Sequence, residues 1–239
     1  MTQEHVLVTG GSNGIGKAVI QRLSADGYAT LNLDIAEPQN VSPGETFIQI
    51  DLTDTDALAG VLADIVKRYT VRRLVNNAGI ICPATLEDTD IHAMRQVSRL
   101  NVEAPLLITQ HMLPAMKAAR FGRIVNMSSR AALGKTVRTA YAASKAGLLG
   151  MTRTWALELA GYGITVNAIG PGPIATELFM KGNPPEAERT RKLMQTIPLQ
   201  RMGQPDEVAH GVASLLDDRA GYITGQVLYI CGGMTVGLA

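Results

Sequence analysis

HVLVTGGSNGIGKAVIQRLSADG, residues 5–27, sets the architecture of the whole chain. Residues 5–9 form an apolar run of strand length that stops on glycine. Ile15, Val19 and Leu23 then recur every four residues, the spacing of one helical face, and Gly27 can end that helix. Between strand and helix, Thr9, Gly10, Gly14 and Gly16 give the pattern T-G-x-x-x-G-x-G. Residues without a Cβ let the backbone bend and approach a pyrophosphate, and the helix N-terminus offers free N–H groups and a positive dipole end. Gly10, Ser12, Asn13, Gly14, Ile15 and Gly16 are therefore candidate dinucleotide-binding positions.

Two other motifs share these letters. Gly11 to Lys17 opens like a G-x-x-x-x-G-K phosphate loop, but Ala18 stands where a magnesium-binding Ser or Thr is required. Gly10-Gly11-Ser12-Asn13-Gly14 matches the G-x-S-x-G elbow of hydrolases. That chemistry needs an acid, a histidine and an oxyanion loop. The downstream histidines, His92, His111 and His210, all fall in helical patterns, and no HGGG-type loop exists.

Outward from the turn, strands and helices alternate. Strands are expected at 29–34, 47–51, 73–76, 123–127, 164–169 and 226–231, and helices at 55–69, 140–160 and 205–216. A long helical stretch over 90–119 is expected to break or bend near Pro105 and Pro114. Residues 36–46 are too short and too rich in proline and glycine for a full helix. Residues 177–198 read as an irregular substrate-binding loop around Gly182-Asn183-Pro184-Pro185. Alternation of this kind implies parallel strands with right-handed crossovers. The expected fold is α/β: a Rossmann-type doubly wound, mostly parallel seven-stranded sheet with helices on both faces, and residues 1–239 as a single dinucleotide-binding and catalytic domain.

Composition narrows the function. The 239 residues are 46% hydrophobic with formal net charge +1, enough for a sizeable core and without a basic stripe for nucleic acid or an anionic membrane. No apolar run is long enough to span a bilayer, and the first residues lack signal-peptide features. Cys82 and Cys231 form no CxxC and read as reduced thiols. No metal site is expected, and the expected compartment is cytoplasmic.

Asp34 ends the second strand, where a carboxylate can accept hydrogen bonds from both adenosine ribose hydroxyls and repel the extra phosphate of NADP. No Lys or Arg stands at Ser12, Asn13 or Ile35 to hold that phosphate, so NAD is expected over NADP. Tyr141 and Lys145, in YAASK, lie one turn apart on one helical face. A phenol ionises near pKa ~10, and bringing it down by about 3 units takes roughly 4 kcal/mol of differential stabilisation, to which a nearby ammonium contributes. Such a tyrosine can take a proton from an alcohol or give one to a ketone.

With these residues in order, the chain resembles the short-chain dehydrogenase/reductase family over nearly its whole length. The matching segments are Thr9 to Gly16, Asp51-Leu52, Asn76-Asn77-Ala78-Gly79, Asn101, Ser128-Ser129, Tyr141 with Lys145, and Pro171-Gly172-Pro173-Ile174-Ala175-Thr176. The resemblance implies catalytic roles for Asn101, Ser129, Tyr141 and Lys145. Tyr141 is the implied acid/base, Lys145 the holder of the nicotinamide ribose, and Asn101 the support of a water in a proton relay. Asp51 and Leu52 would flank the adenine, and Asn77, Ala78 and Gly79 would line the adenosine side. Ile15 would touch the nicotinamide, while Pro171, Gly172, Ile174 and Thr176 would shape and bind its carboxamide and phosphate end. The serine is ambiguous. Counting from the fifth strand gives Ser129 and counting back from Tyr141 gives Ser128, because the intervening stretch is one residue shorter than the family pattern. Ser129 is preferred, since loops absorb deletions.

Substrate specificity is expected from residues 82–86, 130–139 and the loop after Thr176, with Ser129, Arg130, Tyr141 and Met180 as substrate contacts and Leu133, Val137, Leu178 and Phe179 as further apolar walls. The expected activity is NAD(P)(H)-dependent hydride transfer on a secondary alcohol or ketone. The alternatives are a 3-oxoacyl-(acyl-carrier-protein) or acyl-CoA reductase, and a non-catalytic NAD(H)-binding sensor. The resemblance also implies a homotetramer, or a homodimer, through the helices of 90–119 and 140–160.

Overall fold

Seven strands form one sheet: β1 (Glu4–Thr9), β2 (Ala29–Asp34), β3 (Glu45–Gln49), β4 (Thr70–Asn76), β5 (Gly122–Met127), β6 (Ile164–Pro171) and β7 (Val227–Ile230). Their order is β3-β2-β1-β4-β5-β6-β7. Each pairing among the described residues is parallel, so the sheet is more uniform than the expected mostly parallel one. The computed structural model describes residues 4–236. Residues 1–3 and 237–239, the ends of the expected 1–239 domain, lie outside the described residues.

Parallel neighbours require crossovers, and helices supply them: α1 (Gly14–Ala25), α2 (Thr55–Arg68), α3 (Ile91–Ser98), α4 (Ala104–Ala119), α5 (Thr139–Leu159), α6 (Glu177–Gly182), α7 (Glu188–Gln195) and α8 (Pro205–Leu216). The central strands are buried on both faces and alternate between them. In β1, Leu7 joins an apolar layer with Leu58 and Leu62 of α2 and Ile108, Met112 and Met116 of α4. Val6 and Val8 join the opposite layer with Val19, Ile20 and Leu23 of α1 and Val208 and Val212 of α8. The strand order reverses between β1 and β4, and a crevice opens beyond their C-terminal ends, the usual ligand position in such sheets.

Several expected boundaries change for physical reasons. β3 starts at Glu45 and ends at Gln49, so Asp51 lies in the following loop. β4 starts three residues early because its arginines are paired: the Arg73 guanidinium, 5% exposed, bonds Glu4, Asp218 and the Leu216 carbonyl and lies over the rings of Tyr28 and Phe121. The stretch 90–119 breaks not at a proline but at a π-helical segment, Arg99–Glu103. Pro105 sits in the first turn of α4, where its missing N–H removes no bond, and Pro114 lies inside α4 without ending it. Residues 177–198 are not irregular. Thr176 caps α6 by accepting from the Phe179 N–H (3.2 Å), and an i,i+4 pair of Glu188 and Lys192 (2.7 Å) supports α7. Along α5, Leu148, Leu149, Thr152 and Leu159 are core, whereas Met151 and Trp155 are half-buried.

Candidate active site

The crevice divides into two adjoining cavities, of about 680 Å³ and about 430 Å³, that share Ile15, Asn77, Gly79, Thr176 and Leu178. The larger runs along the glycine turn. Gly10, Asn13, Gly14, Ile15 and Gly16 line it, with Asp34, Asp51, Leu52, Asn77, Ala78, Gly79 and Thr176. Side chains are excluded from this turn. A Cβ on Gly16 would lie 2.0 Å from the Gly10 carbonyl oxygen, and Gly14 has φ +53 with Thr176 Cγ2 3.2 Å from where its Cβ would be. Helix α1 begins here with neither a side-chain cap on its first N–H groups nor an acid in its first turn. Uncapped donors at a positive dipole end, over a cleft this long, fit a dinucleotide's phosphates.

The turn is held from below. Ser12 is buried: its hydroxyl accepts from Asn32 Nδ2 (3.2 Å) and its N–H donates to Asp34 Oδ2 (3.0 Å). It therefore lines neither cavity and supports the turn from behind. Asp34 also accepts from the Ala36 N–H (3.0 Å), so it braces both the glycine turn and its own, while its carboxylate edge remains on the cavity wall. Asn77 donates from Nδ2 to the carbonyls of Thr9 (2.9 Å) and Gly10 (3.0 Å), tying β4 to the turn while lining the cleft. Asp51 accepts from Thr53 Oγ1 and N–H, and these bonds hold its carboxyl below the usual range.

The smaller cavity gathers Tyr141, Ser129, Ser128, Lys145 and Arg130 with Pro171, Gly172 and Ile174. Lys145, 3% exposed, donates to the Met127 carbonyl (2.7 Å), and its Nζ lies 5.7 Å from the Tyr141 ring centroid. Burial lowers its pKa to about 8. Burial pushes the Tyr141 phenol up, while a hydrogen bond with Ser129 and the charge of Arg138 pull it down. In the protein chain by itself, desolvation outweighs the two opposing effects.

The two serines have different work. The Ser128 hydroxyl is buried and donates to the Lys145 carbonyl (2.8 Å), fixing α5 to the end of β5. The Ser129 hydroxyl accepts from the Ala131 N–H (3.1 Å) and meets the phenol. Asn101 does not reach either cavity wall; it stands behind it in the π segment. Its amide pairs with the Ile80 backbone (2.9 and 3.1 Å) and donates to Ser144 Oγ (3.0 Å), whose hydroxyl donates to the Tyr141 carbonyl (2.8 Å). A Cβ on Gly79 would lie 3.1 Å from both Asn101 Oδ1 and Lys145 Nζ, so glycine there lets these groups converge.

The apolar walls are also revised. Leu178, Phe179 and Asn183 line the smaller cavity, but Met180 does not, because the helical pitch of α6 turns it to another face. Leu133 and Val137 are 60% and 43% exposed and line neither cavity. Lys135 and Arg138 are wall residues within the expected specificity stretch 130–139 that the sequence did not single out. Their only signal was the density of cations just after Ser129. Ser144 could have been found only from its place one turn beyond Tyr141.

A family model described as enoyl-(acyl carrier protein) reductase matches residues 10–235. A 3-oxoacyl-[acyl-carrier-protein] reductase of Thermotoga maritima is 39% identical, covering 96% of this chain and 97% of the relative. An NAD-dependent glycerol dehydrogenase of Listeria innocua is 37% identical, covering 99% of this chain and 95% of the relative. A solved structure of a candidate NAD(P)-dependent gluconate 5-dehydrogenase from Beutenbergia cavernae, with NADP bound at low occupancy, superposes with TM-score 0.91 at 30% identity, covering 99% and 98% of the two chains.

Proposed function

The chain belongs to the short-chain dehydrogenase/reductase family, and on that premise we propose that Tyr141, Ser129 and Lys145 are its catalytic centre, with NAD preferred over NADP. It is an oxidoreductase of CH–OH and keto groups that uses a nicotinamide dinucleotide. The observation that carries the proposal is the meeting of Tyr141, Ser129 and Lys145 in the smaller cavity, which adjoins the one along the glycine turn. The nicotinamide ring supplies the hydride acceptor or donor. Ser129 orients the substrate oxygen by hydrogen bond, and the Tyr141 phenol takes the alcohol proton in oxidation or returns it in reduction. Lys145 brings a cation beside the phenol and favours its ionised form. Asn101 is a positioning residue, setting Gly79-Ile80 and, through Ser144, the backbone of Tyr141.

The NAD preference rests on Asp34 and on the absence of a basic residue at Ser12, Asn13 and Ile35. The 3-oxoacyl thioester reductase remains a second reading, favoured by the Thermotoga relative. The remaining proposals are a single catalytic domain, residues 177–198 as its substrate-binding segment, assembly as a homotetramer or homodimer and a cytoplasmic site of action. Among the described residues no helix is long and apolar enough to cross a membrane.

The test is an absorbance screen of the purified protein against secondary alcohols, diols and 3-hydroxyacyl thioesters, with NAD and NADP side by side. Reduction of NAD by one alcohol class is the expected result. Faster turnover with NADP would reverse the cofactor preference. A protein that binds NADH and turns over nothing would favour the sensor.

A further inference from the structure

Besides Lys145, three cations line the smaller cavity beside Tyr141 and Ser129: Arg130, Lys135 and Arg138. None of them lines the larger cavity, so they are placed away from the phosphate-binding turn. The smaller cavity's wall holds no Asp or Glu among the described residues, whereas the larger has Asp34, Asp51 and Glu177. Arg130 and Lys135 have no hydrogen-bond or ion-pair partner among the described residues, and Arg138 spends one N–H on the Val137 carbonyl (2.8 Å). Desolvation, then the charges of Arg138 and Arg130, hold Lys135 below its usual pKa, and Arg138's charge also reaches Tyr141. The backbone supports this crowding: Val137 takes φ +54, a conformation that β-branched residues rarely adopt, immediately before Arg138 bridges Ala84.

We infer that the cavity selects a small secondary alcohol or ketone that carries an anionic group, a carboxylate or a phosphate, within a few bonds of the reacting carbon. The inference rests on the catalytic reading above. Arg130 follows Ser129 directly, so their Cα atoms are about 3.8 Å apart. Both residues line this one cavity, so an anion on the guanidinium would share it with a substrate oxygen held by Ser129. A cavity lined by one sign of charge concentrates ligands of the other sign, and guanidinium groups pair with carboxylate or phosphate oxygens in a bidentate fork. A volume of about 430 Å³ lies low in the usual range for small-molecule sites, about 300–1,000 Å³.

The test does not require the physiological alcohol. Butyrate, inorganic phosphate and the neutral butyramide are each titrated into the enzyme–NADH complex, with reduced-cofactor fluorescence as the signal. At least one anion should bind tenfold or more tightly than butyramide, and which one identifies the group. Added salt should erode that margin. The exchange R130A/K135A should bring it close to unity, and Lys135→Glu, at an exposed position, should reduce it as well. Arg138 is left in place because its charge also acts on Tyr141. Butyramide binding as well as both anions, or an anion preference that survives R130A/K135A, overturns the inference and leaves the dehydrogenase standing. A protein that fails to bind NADH overturns the dinucleotide reading itself, a distinct outcome.

Discussion

At the scale of single residues, the buried ammonium of Lys145 sets both chemistry and stability. Its pKa falls from 10.5 to about 8 by desolvation. Below about pH 8, folded and unfolded chains both hold this proton, and the fold bears the full cost of a buried charge. Between about 8 and 10.5 only the unfolded chain retains it, so stability rises with pH across that window. Relative to Lys145→Met, the wild type should gain up to about 3 kcal/mol from the lower to the upper limit. Urea unfolding of both proteins at several pH values measures this, and a pH-independent difference would contradict a depressed lysine. Gly16 makes a second residue-scale case. A Cβ 2.0 Å from the Gly10 carbonyl oxygen meets backbone, which cannot swing away. Gly16→Ala should cost about 3 kcal/mol and weaken NADH binding. Unchanged melting and affinity would show that the turn has slack.

Among elements, the helices after β6 contrast with those on the sheet. Helix α6 has no buried residue and α7 buries only Thr190, while α8 buries six of its residues against the sheet and α1. Elements with so little buried surface open at low free energy. Yet Thr176, the α6 cap, touches both cavities, and Glu177, Leu178 and Lys181 line the larger one. NADH should therefore slow amide exchange in 176–182 by at least tenfold while leaving α8 unchanged. Hydrogen-exchange mass spectrometry reads this directly, and equal exchange with and without NADH would separate α6 from the cofactor site. The irregular reading of this stretch failed because ERTRKLMQ has few apolar residues, and α7 is supported by the Glu188–Lys192 pair. The π segment was hidden differently. Its signal is a single asparagine, and Pro105, the louder cue, sits harmlessly in a first helical turn.

For the whole molecule, the sheet was legible because its information is local. Each strand is an apolar run, each helix a four-residue recurrence, and the glycine turn declares where the two join. The gathering of Tyr141, Lys145 and the serines followed from motif order. Orientation did not: Ser12 turns inward to Asn32, a tertiary neighbour, and Met180 is absent from the cavity wall. Ser128 and Ser129 are separated only by what each hydroxyl touches, the Lys145 carbonyl or the Tyr141 phenol. The cationic wall arises when the loop after β5 folds back past the helix carrying Tyr141, which no spacing rule reveals. The central proposal is that the phenol of Tyr141 moves the proton. The most direct measurement is steady-state turnover and NADH affinity of Tyr141→Phe beside the wild type, using the best alcohol from the screen. Turnover should fall by about 10²-fold or more while NADH affinity stays within about twofold. Turnover equal to wild type would remove Tyr141 from the chemistry and contradict the account.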